Sequence, residues 1–86
     1  MQHELKIYPQ YFKEIIAGNK HWELRLNDRD FRIGDTLFLR EYNPDTKEYT
    51  GNYIDNLQIT YVLSNYYALL DNHVILSFTY KKNMIR

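Results

Sequence analysis

After Gly18, apolar and polar side chains alternate with period two almost to the end of this 86-residue chain. A sheet with one dry face and one wet face writes that pattern; an amphipathic helix would repeat every three to four residues instead. Trp22, Leu24 and Leu26 make one face of a strand running from Lys20 to Asn27, and His21, Glu23 and Arg25 make the other. The apolar row is expected to point inward. Thr36–Tyr42 is rich in apolar residues on both faces, as a central strand is. Tyr53, Leu57, Ile59, Tyr61 and Leu63 alternate in turn, with Asp55 marking a bulge, and Val74, Leu76, Phe78 and Tyr80 form the inner face of a last strand. At the start, Leu5 and Ile7 alternate with charged neighbours, and His3 points with them as a core or rim histidine.

One segment breaks the period. Pro9 opens and Gly18 closes a stretch in which Phe12, Ile15 and Ile16 share a face, with Tyr8 one turn earlier. Proline inside the first turn and glycine just past the last are helix punctuation, so Pro9–Ala17 is predicted to be a helix. It is too short to persist undocked. Asn43-Pro44-Asp45-Thr46 and Thr50-Gly51-Asn52 both read as turns. The expected architecture is mainly β in the α+β sense. It is a small barrel of five to six strands with one short helix docked at its open side, and a single domain over residues 1–86. The runner-up is an open antiparallel sheet with the helix across one face.

Composition narrows the function classes. The chain has no cysteine, so disulfides, thiolate metal sites and cysteine nucleophiles are excluded together. His3, His21 and His73 lack ligand spacing, and neither a metal nor a cofactor is expected. There is no phosphate-binding glycine loop and no nucleophile elbow. No apolar run is long enough for a membrane span and the polar start is not a signal peptide, so a cytoplasmic protein is expected. Eleven basic residues balance eleven acidic ones, so binding to nucleic acid would have to rest on a local patch.

Such a patch has candidates. Lys20, Arg25, Arg29, Arg32, Arg40, Lys81, Lys82 and Arg86 gather on one side if the second, third and last strands are neighbours. Trp22, Phe31, Tyr42, Tyr66 and Tyr67 supply rings on which bases can stack, although Trp22 is expected in the core. The stretch Lys20–Phe31 is the densest in polar groups. Glu23 and Arg25, two apart on one strand, leave by the same face. They make either a weak solvated ion pair or part of a binding cleft.

The segment Ile15-Ile16-Ala17-Gly18-Asn19-Lys20-His21-Trp22-Glu23-Leu24-Arg25 resembles the IxxGxKxxExR signature of ASCH domains in the PUA-like superfamily. The continuation through Asn27–Asp35, Leu39–Pro44 and Tyr49–Gly51 is similar to a small branch of that group found in bacteria and phages. The resemblance implies a small β-barrel with a cleft between the first helix and the next strand, and a role in binding RNA or modified nucleosides. It places Lys20, Glu23 and Arg25 in the cleft. Together with the local charge it gives Lys20, Glu23, Arg25, Asp28, Arg29 and Arg40 as the expected ligand contacts, with RNA or a nucleotide-like small molecule as partner. Lys20 and Glu23 are expected to act as a polar clamp, one donating and the other accepting. Some short ASCH proteins are amidohydrolases of acetylated cytidine that use a lysine, a threonine nucleophile and a glutamate. Lys20 matches the lysine, but Glu23 stands where they have threonine, so an amidohydrolase is the alternative and no efficient activity is expected. A phage or bacterial protein-interaction domain is the other alternative.

Overall fold

A computed structural model describes residues 1–81, leaving Lys82 and Arg86 of the basic set outside the described residues. The elements run β1 (Gln2–Ile7), α1 (Pro9–Ile16), β2 (Trp22–Leu26), β3 (Thr36–Asn43), β4 (Glu48–Leu63) and β5 (His73–Tyr80). They build a mostly β fold around one five-stranded sheet of order β1-β3-β4-β5-β2. Five strands fall within the expected five to six; the β1–β3 pair is parallel and the others antiparallel, so the all-antiparallel alternative is corrected. No helix among the described residues is long and apolar enough to cross a membrane.

The sheet curls into a half-barrel, which brings its outermost strands back toward each other. Their main chains do not pair. Instead Arg25 Nη2 donates to the Lys6 carbonyl, and Arg29 Nη1 donates to the Glu4 carbonyl at 2.6 Å. Guanidinium groups staple the seam where a closed barrel would carry a ladder. The expected barrel is therefore barrel-like but open between β1 and β2.

Inside the curl lies one apolar cluster, built on Leu5, Ile7, Leu37, Leu39, Ile54, Leu57, Ile59, Val74, Leu76 and Phe78. Ile15 enters it from α1, with Phe12 packed against its margin. Burying such an aliphatic side chain contributes about 1.5–3 kcal/mol, which is what holds so short a helix in place. Phe31 is also core, with the His3 ring edge-on to it at 4.7 Å, so it offers no stacking surface to a ligand. His3 is buried and bonded to Asp35 at 2.8 Å, the satisfied histidine its parity predicts.

Asn43-Pro44-Asp45-Thr46 is the turn joining β3 to β4, with the Asn43 side chain accepting from the Asp45 amide at 2.9 Å. Thr50-Gly51-Asn52 is not a turn but an interior bulge of the long strand β4. Between Arg40 and Tyr42 the partner on β4 jumps from Tyr53 to Tyr49, and Gly51 supplies a φ of +95°. Thr50 and Asn52 both donate to buried Glu41, at 2.7 and 3.1 Å. Their polar side chains serve an inner carboxylate rather than a chain reversal. The irregularity at Asp55 is present, with Asn56 in the left-handed region at φ 60°. A further register shift after Ile59 turns Tyr61 outward, and Tyr80 is also exposed at the end of β5. Tyr80 was expected on the inner face.

Candidate functional site

The site begins where α1 stops. The Gly18 amide donates to Ile15 at 3.0 Å and the Asn19 amide to Glu14 at 2.9 Å, with Gly18 at φ +81°. This is the paired hydrogen-bond pattern of a glycine-terminated helix, and it reverses the chain so that Lys20 leads straight into β2. On β2 the facing is the opposite of the expected one. Trp22, Leu24 and Leu26 are 47 %, 51 % and 50 % exposed, while Glu23 is only 6 % exposed. Among the described residues β2 pairs only with β5, as an edge strand, and Glu23 and Arg25 turn toward Lys20 and the β1 edge.

Glu23 lies between two cations. One carboxylate oxygen accepts from the Lys20 ammonium; the other accepts from Arg25 Nε at 3.1 Å and lies 2.9 Å from Nη2 in an ion pair. Lys20 also donates to the Trp22 carbonyl, and its ammonium stands 4.2 Å from the Trp22 ring centroid and 5.6 Å from that of Tyr11. The two members of the expected clamp are thus joined to each other. The array keeps unused capacity, because each carboxylate oxygen and each cation has more hydrogen-bonding positions than these contacts use.

Above this array runs a groove of about 590 Å³, with Lys6, Ile7 and Tyr42 on one side, Tyr8 and Tyr11 of the helix region on another, and Glu23–Leu26 and His73 opposite. A recess of about 280 Å³ adjoins it at Tyr11, Glu23 and Leu24 and reaches Lys20 and Trp22. Lys6, Lys20 and Arg25 face the single carboxylate of Glu23 in this combined space, so a chain of zero net charge holds a local excess of positive charge here. His73 is fixed by a contact of 2.9 Å between Nδ1 and the Asp71 carbonyl, which leaves Nε2 for another partner.

Lys20, Glu23 and Arg25 therefore converge. The other expected contacts do not join them. Arg29 is committed to the Glu4 carbonyl, and Asp28 lies 3.8 Å from Arg29 in the exposed turn after β2. Arg40 projects from the outer face of β3, against Tyr49 and 3.3 Å from Glu4. Arg32 pairs with Asp30 at 2.7 Å, and β3 is not a neighbour of β5 or β2, so the described residues of the basic set do not gather on one side. Lys6, Tyr8, Tyr11 and His73 were not among the expected contacts. The signal for Lys6 was its outward parity in β1, and for Tyr8 and Tyr11 their flanking of Pro9 on the approach to Gly18.

A second hollow of about 630 Å³ lies under the β4–β5 loop, where Tyr66 and Tyr67 are exposed as expected. It is slightly larger, but Asn27, Ser64, Asn65, Asp71 and Asn72 dominate its polar lining, with no lysine or arginine. Among the described residues, lysine and arginine side chains line the groove by α1 and not this hollow.

A family model described as a domain of unknown function, DUF3850, matches residues 2–78, and the chain belongs to that family. A curated relative, described as an uncharacterized 12.9 kDa protein in the GpA 3′ region of Escherichia phage P2, is 42 % identical over 40 residues. The match covers 46 % of this chain and 37 % of the phage protein.

Proposed function

We propose that this DUF3850 protein binds RNA or a nucleotide-like molecule in the groove between α1 and β2, in the manner its ASCH-like, PUA-like signature implies. The carrying observation is the pairing of phenol rings with surplus cations in one concave space: Tyr8, Tyr11 and Tyr42 beside Lys6, Arg25 and Lys20. Aromatic walls take a base, and stacking one base on a ring contributes about 1–3 kcal/mol. The cations take its phosphate. Glu23 accepts from an exocyclic amine, so bases that carry one gain over uracil.

Binding rather than covalent hydrolysis is the reading the groove supports. Its side-chain hydroxyls are the phenols of Tyr8, Tyr11 and Tyr42, and Glu23 is held by Lys20 and Arg25 rather than poised against a free hydroxyl. Acetylated cytidine incubated with the protein is expected to stay intact by chromatography. Turnover abolished in both Lys20→Ala and Glu23→Ala would restore the hydrolase.

The direct test is fluorescence anisotropy of a labelled short single-stranded RNA at two salt concentrations. Binding that weakens as salt rises, and weakens about tenfold in Tyr11→Ala, is the expected result. Absence of binding at low salt would favour the interaction-domain reading, whose own observation is the exposed row Trp22, Leu24 and Leu26.

A further inference from the structure

The outer face of β1, β3 and β4 carries a second set of rings and cations that begins at the mouth of the groove. Lys6 and Tyr42 belong to both: they line the groove, and the Lys6 ammonium lies 4.4 Å from the Tyr42 ring centroid and 5.9 Å from that of Tyr49. Tyr42 meets Tyr49 edge-on at 5.2 Å, and the Arg40 guanidinium sits 3.7 Å from the Tyr49 centroid. Two residues back along β3, across the bulge, Tyr53 stands opposite Arg40 and stacks on Phe38 at 5.1 Å with 17° between the ring planes. Phe38 covers one face of Tyr53, yet Tyr53 remains 59 % exposed.

We infer that this face is a stacking platform continuous with the groove, and that the ligand is a single-stranded polynucleotide spanning both rather than a free nucleotide. The inference rests on the groove reading and sharpens its substrate class. Cross-strand aromatic pairs support a sheet by themselves. That role does not require guanidinium and ammonium groups interleaved with the rings, nor a terminal ring left open to solvent. Planar rings with a cation between them match successive bases joined by phosphates, whatever the sequence. Glu4, 3.3 Å from Arg40, holds the guanidinium over Tyr49 and offsets part of its charge, so the platform adds stacking more than salt-dependent attraction.

The experiment is a length series read by calorimetry: cytidine monophosphate, a cytidine trinucleotide and a cytidine hexanucleotide, with the deoxycytidine hexanucleotide as a DNA arm. The hexanucleotide is expected to bind at least about tenfold more tightly than the monophosphate, since each added base–ring stack is worth about five- to a hundredfold. Tyr53→Leu keeps an apolar side chain on the strand but removes the ring, and Arg40→Gln removes the interleaved cation. Both are expected to cancel most of the length gain while leaving monophosphate affinity unchanged. Equal affinity for all lengths, or a length gain that survives both variants, would overturn the platform while the groove reading stands. A hexanucleotide that binds through Tyr53 and Arg40 while the monophosphate fails to bind would overturn the groove and keep the platform. Comparable binding of the RNA and DNA hexanucleotides supports recognition by rings and phosphates; a strict requirement for ribose would contradict it.

Discussion

Glu23 is the residue on which the site is most finely balanced. It is nearly buried, and its charge is tolerated because Lys20 and Arg25 take one oxygen each. Removing one partner from such an array exposes what the others cost. Glu23→Gln leaves Lys20 and Arg25 facing each other without an anion and is expected to cost about 2–4 kcal/mol in urea unfolding. Lys20→Met leaves Glu23 still held by Arg25 and is expected to cost less, about 1–2 kcal/mol. A reversed order would mean that Glu23 is hydrated in the native state and that the array is not a unit. Asp35 gives a second test at this scale. The hydrogen bond from His3, helped by the Arg32 amide, holds its carboxyl below the ordinary 3.8. As pH falls, the unfolded chain therefore takes up this proton first. The stabilisation is complete above the unfolded value and is lost as pH drops through it toward the native value. Asp35→Asn should flatten the fall in stability between about pH 5 and pH 3. An unchanged acid limb would contradict this role for Asp35.

Among the elements, α1 was legible almost to the residue because Pro9 and Gly18 act through local backbone chemistry alone. The same locality made His3, Leu5 and Ile7 readable on β1 and Val74, Leu76 and Phe78 readable on β5. The strand β2 was read inside out, since alternation gives two faces but not which one turns inward. An apolar row normally decides that. Here Glu23 is held by Lys20 and Arg25, and Arg25 by the Lys6 carbonyl at the open seam, so the charged row lies inward and the apolar row is left half exposed. The segment Thr50-Gly51-Asn52 was misread for a related reason: turn-forming residue types also serve bulges, and only the register with β3 distinguishes them. Gly51 makes this testable. A Cβ there would meet nothing within 4 Å, so Gly51→Ala is penalised by its φ of +95° rather than by a clash. The expected loss is about 1–2 kcal/mol, with Gly51→Asn costing less than Gly51→Val. Equal losses for all three would argue that the bulge relaxes to another backbone.

At the scale of the molecule, the groove exists because the sheet curls without closing. Arg25 and Arg29 satisfy the Lys6 and Glu4 carbonyls that a neighbouring strand would otherwise take. Nothing in local patterning announces such a seam, because it depends on which strands end up at the edges. Lys20 and Glu23 were named from sequence through a signature, and Arg40 was placed with them only because the strand order was unknown. Arg29→Ala should free the Glu4 carbonyl, cost about 1–2 kcal/mol and raise amide hydrogen exchange in β1 before the rest of the sheet. Uniform exchange across the sheet would mean the seam is not its weakest edge. The groove itself is tested most directly by titrating isotope-labelled protein with a nucleoside monophosphate bearing a donor edge, such as guanosine monophosphate, and following every backbone amide by NMR. The account predicts saturable shifts concentrated at Tyr8, Tyr11 and Glu23–Leu26 that diminish with added salt. Shifts confined to the Tyr66–Tyr67 loop, or no saturable shifts at millimolar nucleotide, would contradict it.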